Sequence, residues 1–238
     1  MRRRIAVYGG SFDPFHLGHL VPTVRAQETF RFEAVYFVPG SRPPHKQDQT
    51  LSPVTHRMAM VAMATLPYER FYASDVEVFA DGPTYTVDTV RLFGRQHPDA
   101  ELYFLLGSDS FSQIETWQRW RELVDAAHLV VLHRAHMWGD DLRRRIPEEL
   151  LPRLRLVTPF ERVPDPDERT VFLLDHEPFP ISATSVRDRQ SRGQPIRELV
   201  PHEVNSYIEK YGLYSGMSVT GEGRGPGTGA VGEAHARS

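Results

Sequence analysis

The chain has 238 residues, of which 40% are hydrophobic and 25% are charged. This length and composition are typical of one large folded domain or two small ones, and they exclude a wholly disordered chain. The 28 basic and 31 acidic residues give a formal net charge of -3, unlike the positive excess of most proteins that bind nucleic acid. There is no cysteine, so disulfide scaffolds, thiolate metal sites and cysteine nucleophiles are excluded.

Targeting segments are not evident in the sequence. No apolar stretch approaches the length of a secretory signal or the roughly 20 residues of a membrane-spanning helix. We therefore expect a soluble, cytoplasmic protein with no membrane partner. The sequence leaves open whether copies of the chain form a homo-oligomer.

Short apolar runs alternate with longer helical patterns along the chain. Strands are predicted at residues 5–8, 34–38, 72–79, 102–106, 129–132, 155–157 and 171–174. Helices are predicted at residues 18–30, 53–66, 86–96, 117–126, 140–151, 184–192 and 203–211. This alternation predicts an α/β fold in which helices cover both faces of a central parallel sheet. Ser52 is predicted to cap the second helix, with Pro53 at its first position.

The end of the chain differs in composition. Residues 215–238 are rich in glycine and contain almost no large apolar side chains. Such a segment cannot bury enough surface to offset the entropy lost on ordering. We therefore expect a single domain over residues 1–214 and a disordered tail over residues 215–238.

The first predicted strand runs into the string GGSFDPFHLGH at residues 9–19. Paired Gly9 and Gly10 allow the backbone to approach a ligand or to adopt positive φ. A helix should begin near the end of the string, with His16 and His19 on one face of its positively polarised start. This arrangement favours polyphosphate binding. A glycine turn with two surface histidines stays open, as does a zinc site, although the H-E-x-x-H pattern and a nearby third ligand are absent.

A second string, ISATSVR at residues 181–187, places hydroxyl groups at another predicted helix start. Ser182 or Thr184 can cap this helix, and its N–H groups together with Arg187 form a second anion site. A capped surface helix explains this string equally well when it is considered alone. Together with the first string in one α/β domain, it favours a phosphate site.

The two strings resemble the HxGH and ISxTxxR motifs of the nucleotidylyltransferase superfamily. Four further strings are similar to those of bacterial nicotinate-nucleotide adenylyltransferases, in the same order: PPHK at 43–46, GPTYTVDT at 82–89, GSD at 107–109 and YGLY at 211–214. The resemblance covers residues 5–214 and is loose between 135 and 178. It implies a Rossmann-like nucleotidylyltransferase fold that transfers AMP from ATP to nicotinic acid mononucleotide, giving deamido-NAD and pyrophosphate. It also implies Mg²⁺ bound through the ATP phosphates, with no metal ligand from the protein.

The resemblance assigns roles to individual positions of this sequence. It implies that ATP and the dinucleotide contact Gly9, Gly10, Ser11, Phe12, Gly107, Asp109, Arg134, Ser182, Thr184 and Ser185. It implies a catalytic set of His16, His19, Lys46 and Arg187. Thr86 would offer its backbone N–H to the nicotinate carboxylate, and Trp117 would stack on the pyridine ring. Simpler roles stay open for Trp117 as a core anchor, Asp109 as a helix cap and Lys46 as a solvated lysine.

The implied reaction needs no general base, because the attacking phosphate is already ionised at neutral pH. The protein has to align the reactants and neutralise charge on the leaving pyrophosphate. One alternative is another acceptor, which could be nicotinamide mononucleotide, phosphopantetheine or a small alcohol phosphate. Trp117 and the strings PPHK and GPTYT disfavour the last two. A catalytically inactive nucleotide-binding regulator is disfavoured by His16, His19 and Arg187, and a nucleic-acid-binding module by the charge balance.

Overall fold

The computed structural model describes residues 3–40, 51–80, 82–134 and 137–216. Its strands are β1 (Arg3–Gly10), β2 (Ala34–Pro39), β3 (Phe71–Ala73), β4 (Ala100–Gly107), β5 (His128–Leu132), β6 (Leu154–Val157) and β7 (Val171–Leu174). They form one seven-stranded sheet in the order β3-β2-β1-β4-β5-β7-β6. Every pairing is parallel, so the predicted α/β class with a parallel sheet is confirmed.

Helices cover both faces of this sheet, as predicted. They are α1 (Leu17–Phe30), α2 (Val54–Thr65), α3 (Thr86–Gln96), α4 (Ser108–Phe111), α5 (Trp120–Ala126), α6 (Gly139–Arg143), α7 (Ala183–Ser191) and α8 (His202–Tyr211). One buried cluster joins the sheet to α1, α2, α7 and α8, and a second joins its other face to α3, α5 and α6. Within the described ranges, none of these helices has the length and apolar character needed to cross a membrane.

The apolar runs of the strands follow from burial on both faces. In β1, Ala6 and Tyr8 belong to one buried cluster, whereas Ile5 and Val7 belong to the other. Successive side chains of a strand point to opposite faces, so a sheet covered on both sides requires continuous rather than alternating apolar sequence.

The strand order reverses beside β1. This strand pairs with β2 on one side and β4 on the other, so that Tyr8 lies between Phe37 and Leu105. The chain moves outward from β1 through β2 to β3 and then returns across β1 to form β4. A crevice therefore opens at the carboxyl ends of β1 and β4, which is where open α/β sheets bind ligands.

The predicted cap of α2 is wrong. The helix begins at Val54 with Pro53 as its N-cap, and Ser52 lies outside it. The Ser52 N–H donates to Asp13 Oδ2 at 3.1 Å, and the Ser52 carbonyl accepts from Arg57 Nε at 2.9 Å. The backbone of Ser52 is thus fixed partly by the loop that follows β1, a long-range contact that local sequence does not encode.

Three other predicted elements are shorter or interrupted. The strand predicted at residues 72–79 is limited to β3, because only three residues pair with β2. Arg119 has a left-handed backbone (φ 56°), so α5 begins only after it and the helix predicted at residues 117–126 is shortened. The helix predicted at residues 140–151 is interrupted near Pro147, which has no N–H to continue it. The helix α6 ends earlier, at Arg143, and a short 3-10 helix begins at Glu148, directly after Pro147.

The proposed division of the chain stays a prediction. Residues 217–238, most of the tail expected from the sequence, lie outside the described residues. The helix α4, in contrast, is an addition that the sequence did not predict.

Candidate active site

A cleft with a volume of ≈ 780 Å³ opens at the carboxyl ends of β1 and β4. Its position at the reversal of strand order is the usual ligand-binding position in this kind of sheet. Most residues predicted for the site line it: Gly9, Gly10, Ser11, His16, His19, Thr86, Gly107, Asp109, Trp117, Arg134, Ser182, Thr184 and Ser185. The two motif strings therefore meet at one cavity although they lie far apart in the chain.

Two predicted residues of the described part of the chain, Phe12 and Arg187, do not line the cleft. Phe12 is buried in an aromatic cluster beneath the loop after β1. The Arg187 side chain is directed to that loop, where Nη1 donates to the carbonyl oxygen of Asp13 at 2.6 Å. Lys46 lies outside the described residues. Phe12 and Arg187 thus support the loop that forms part of the cleft.

The loop after β1 depends on a glycine and on a buried arginine. A Cβ at Gly10 would lie 3.0 Å from the ring of Phe12, which has φ 47° and turns back under the strand. Arg57 Nη1 donates to the carbonyl oxygens of Ser11 and Gly40, both at 2.8 Å. Burial lowers the pKa of Arg57. These carbonyl contacts compensate the buried cation and hold the loop in place.

The two histidines stack at the start of α1, with ring centroids 3.7 Å apart. The backbone N–H of His16 donates to the ring atom Nδ1 of His19 at 3.2 Å, so a neutral His19 carries its proton on Nε2. Burial, together with the nearby charge of Arg134, lowers the pKa of His16 to about 3. His16 is therefore neutral at physiological pH and can contribute a hydrogen bond but not a full charge.

A reciprocal capping arrangement fixes the start of α7. Ser182 Oγ accepts from the Ser185 N–H at 3.1 Å, and the Ser182 N–H donates to Ser185 Oγ at 3.2 Å. Ser182 is therefore the cap, and Thr184 instead accepts from Arg187 Nη2 at 3.4 Å. Because this turn lines the cleft, the positive ends of α1 and α7 face the same cavity.

Arg134 lies between the two helix starts. Its Nη1 is 3.5 Å from the carbonyl oxygen of Ile181, just before α7. A Cβ at Gly18 would lie 2.9 Å from Arg134 Nη1, and one at Gly107 would lie 3.1 Å from Nε. Glycine at both positions leaves room for the guanidinium group between α1, β4 and α7. A permanent positive charge thereby reaches the centre of the cleft.

The other end of the cleft is an aromatic pocket at the start of α3. Tyr85 and Thr86 line it together with Trp117, whose ring meets that of Phe104 edge to face at 6.2 Å. The Thr86 N–H donates to no other described residue. The pocket therefore combines aromatic surface with an available N–H at a positively polarised helix end, which suits a planar ring that bears an anion.

The structure bears on two simpler roles left open by the sequence. Trp117 lines the cleft and is only partly exposed, because it also packs against the buried cluster that contains Trp120. Asp109 is not the cap of α4, because Gly107 occupies that position. The binding roles of both side chains stay predictions.

Sequence reasoning missed several residues that shape the site. Asp13 accepts through Oδ1 from the Tyr214 hydroxyl at 2.5 Å, which ties the YGLY string to the first motif. Arg57 lies on the buried face of α2 with Met60, Val61 and Ala64. A charged residue within that apolar stripe was a signal that could have identified Arg57.

The class of the protein follows from the fold and the site together. A family model described as Cytidylyltransferase-like matches residues 7–189. This range contains both motif strings and all seven strands except the first residues of β1. The architecture and the position of the cleft are accordingly those of a nucleotidyltransferase.

Individual relatives narrow this class. A probable nicotinate-nucleotide adenylyltransferase of Desulfatibacillum aliphaticivorans is 37% identical over 220 residues, which cover 89% of this chain and 99% of the relative. A probable nicotinate-nucleotide adenylyltransferase of Corynebacterium glutamicum is 36% identical over 213 residues, which cover 90% of this chain and 89% of the relative. The chain belongs to the family of nicotinate-nucleotide adenylyltransferases. In fold the chain is similar to Plasmodium falciparum nicotinic acid mononucleotide adenylyltransferase complexed with NaAD, with a TM-score of 0.67 and 21% sequence identity. The match covers 89% of this chain and 97% of the Plasmodium chain.

Proposed function

We propose that the protein transfers the adenylyl group of ATP to nicotinic acid mononucleotide, forming deamido-NAD and pyrophosphate in NAD biosynthesis. The observation that carries this proposal is the convergence of the starts of α1 and α7, with Arg134 between them, on one cleft. Two polarised helix ends and a guanidinium group suit the charge of a triphosphate. The names of the relatives support the choice of acceptor.

The reaction is a direct displacement at the α-phosphorus of ATP. An oxygen of the acceptor phosphate forms the new P–O bond while the bond to the bridging oxygen of pyrophosphate breaks. Pyrophosphate leaves with the electron pair. Since the attacking oxygen is already ionised, the protein supplies alignment and electrostatic stabilisation rather than a nucleophile or a base.

The chain offers distinct groups for these tasks. His19, with its proton on Nε2, donates to the reacting phosphate, and His16 holds the orientation of His19 through its N–H. Arg134 and the helix starts receive the charge that develops on pyrophosphate. The family resemblance adds Lys46 and Arg187 to the residues that hold phosphate. The remaining predicted ATP and dinucleotide contacts are assigned to Gly9, Gly10, Ser11, Gly107, Asp109, Ser182, Thr184 and Ser185, whereas the buried Phe12 supports the loop after β1.

The donor set of the described cleft does not fit a metal held by the protein. Its two lining carboxylates are Glu77, which accepts two hydroxyl hydrogen bonds, and Asp109, and the described residues contain no group of three or more carboxylates and histidines that could hold an ion. We therefore propose that Mg²⁺ enters already bound to the ATP phosphates, as part of the substrate. No step of the reaction is assigned to the ion.

The aromatic pocket supplies acceptor recognition in this proposal. Trp117 stacks on the pyridine ring, and the Thr86 N–H donates to the nicotinate carboxylate. A backbone donor at a helix start is matched to an acid, whereas an amide presents its own N–H₂ group and carries no charge. The proposal therefore includes a preference for the acid over nicotinamide mononucleotide.

Pyrophosphate release tests the proposal. The protein is mixed with ATP and Mg²⁺, and nicotinic acid mononucleotide or nicotinamide mononucleotide is added in separate reactions. We expect rapid release with the acid and much slower release with the amide. Equal rates would contradict the proposed preference, and no release with either acceptor would favour a nucleotide-binding regulator over an enzyme.

A further inference from the structure

Glu77 is a carboxylate in the cleft wall that neither of the two motif strings contains. It follows β3 and lines the cavity beside the start of α3. The Thr84 hydroxyl donates to its Oε2 at 2.6 Å, and the Thr89 hydroxyl donates to its Oε1 at 2.5 Å. Both carboxylate oxygens of Glu77 therefore accept hydrogen bonds from residues at the start of α3.

These two hydrogen bonds bracket the helix start. Thr84 lies before the N-cap Tyr85, and Thr89 lies one turn into α3. The side chain of Tyr85 makes no capping hydrogen bond. Glu77 thus joins the chain on both sides of Thr86 through hydroxyl groups and leaves the N–H groups of the first turn unoccupied by its carboxylate. Fixing these two points fixes the direction of the N–H groups between them.

The opposite side of the same helix start is also held. Arg119 forms an ion pair with Asp88 in the first turn of α3, and its guanidinium carbon lies 5.8 Å from the centre of the Tyr85 ring. Arg119 follows Trp117 by two residues, so this contact couples the helix start to the aromatic wall. Without Glu77, the helix start would lose the two charged hydrogen bonds of Thr84 and Thr89, and it would keep the Arg119 contacts and the buried apolar face of α3.

We propose that Glu77 is a positioning residue that sets the acceptor-recognising start of α3 through Thr84 and Thr89. It acts on the recognition of the pyridine acid and not on the ATP end of the cleft. The role rests on the proposed function, because it assumes that the Thr86 N–H meets the acceptor. The hydrogen bonds from the two hydroxyl groups also stabilise the negative charge of Glu77 beside an anionic substrate.

Kinetics with Glu77→Ala and Glu77→Gln test this role. We expect Glu77→Ala to raise KM for nicotinic acid mononucleotide about tenfold or more, the scale of a lost charged hydrogen bond, with KM for ATP within about twofold of wild type. Glu77→Gln should recover most of the loss, because its amide oxygen accepts from one threonine and its N–H₂ donates to the other. Equal changes in both KM values, or none, would overturn the proposal.

A matched control is Glu161→Ala. Glu161 is an exposed carboxylate whose Oε2 accepts from the Thr158 hydroxyl at 3.2 Å, and it does not line the cleft. This variant should leave both KM values unchanged. In Glu77→Ala, the further changes Thr84→Val and Thr89→Val should add little, because their common partner is already absent.

Amide hydrogen exchange separates this proposal from the proposed function. In the unliganded protein, Glu77→Ala should accelerate exchange in peptides that span residues 84–90, whereas Glu161→Ala should not. If wild-type protein released no pyrophosphate, the proposed function would fail while faster exchange would still support the positioning contact. Unchanged exchange in Glu77→Ala would overturn the positioning role even in an active enzyme.

Discussion

Among single residues, His19 has the contacts that best separate chemistry from stability. Asparagine can retain an acceptor near the position of Nδ1, and so the hydrogen bond from the His16 N–H, but it has no counterpart of Nε2. We expect His19→Asn and His19→Ala to reduce kcat by about 30- to 1000-fold, equivalent to ~2–4 kcal/mol of transition-state stabilisation. The measurement is pyrophosphate release at saturating substrates.

A thermal melt of each histidine variant accompanies the kinetics. His19→Asn should melt close to wild type, because the start of α1 keeps its hydrogen bond. The exposed His202→Ala is the control and should keep full activity. If the turnover number of His19→Asn were within a few-fold of wild type, His19 would not contact the reacting phosphate.

Gly107 offers a second test at residue scale, directed at ATP. A Cβ there would clash with Asp109 Oδ1 and lie 3.1 Å from Arg134 Nε. Asp109 is exposed and can move, but Arg134 is confined between α1 and α7. We expect Gly107→Ala to displace the guanidinium group and raise KM for ATP about tenfold, ~1.4 kcal/mol. The acceptor KM should change much less.

Gly94→Ala is the matched control for this substitution. A Cβ at Gly94 would lie 3.4 Å from Leu102 Cδ1, which is an ordinary contact. Alanine also favours a helix over glycine, so this variant should be as active as wild type and no less stable. An unchanged ATP KM in Gly107→Ala would show that Arg134 is not placed by that glycine.

At the scale of elements, the capping box of α7 stabilises a helix start that lines the cleft. Ser182→Ala removes the acceptor for the Ser185 N–H and should cost about 1 kcal/mol of unfolding free energy. Ser185→Ala removes the hydrogen bond from the Ser182 N–H to Ser185 Oγ. Because the two serines form one reciprocal unit, the double variant should lose less than the sum of the single losses. Urea unfolding measures all three values, and strictly additive losses would contradict the coupling.

Elements defined by local patterns were the predictable part of the fold. The strand at residues 171–174 and the helix at residues 86–96 match the structure residue for residue. A continuous apolar run between polar segments defines the first, and Pro98 limits the second. The motif strings were equally visible, because glycines and hydroxyls at element ends carry a local physical meaning.

Contacts between distant parts of the chain were not predictable in this way. The hydrogen bond from Arg187 to the Asp13 carbonyl spans 174 positions, and that from Tyr214 to the Asp13 carboxylate spans 201. No pattern in one sequence states which hydroxyl or guanidinium group will meet a given acceptor after folding. The resemblance therefore named residues that meet at one cleft, while the structure was needed to show that Arg187 supports the loop and that Arg57 lies beneath it.

On the scale of the whole molecule, the two ends of the sheet carry different polar groups. The carboxyl end holds the cleft, and the amino end holds a buried cluster of Arg4, Glu101 and His128. Glu101 accepts from the Tyr103 hydroxyl at 3.0 Å and lies 3.3 Å from His128 Nε2. The Thr170 N–H donates to His128 Nδ1 at 3.1 Å, which places the proton of neutral His128 on Nε2, facing Glu101.

This cluster gives the folded chain a defined sensitivity to acid. Burial lowers the pKa of His128 to about 4, whereas the same side chain in an unfolded chain titrates near 6.5. Between these pH values the unfolded state binds a proton that the folded state does not. The free energy of unfolding therefore falls as pH decreases from about 6.5 to 4, by ~1.4 kcal/mol per pH unit for this group. Below about pH 4 both states are protonated and the loss from His128 ends.

His128→Gln tests the source of this slope, because glutamine can still donate to Glu101 but does not titrate. We expect the variant to be less stable than wild type at pH 7 and the difference to narrow steadily between pH 6.5 and 4.5, as measured by urea unfolding. Val131→Ala, a cavity-forming change in the same strand, controls for general destabilisation and should give a difference independent of pH. If the unfolding free energies of His128→Gln and wild type differed by the same amount at every pH, the acid sensitivity would arise elsewhere. The buried His16 would then be the next group to test.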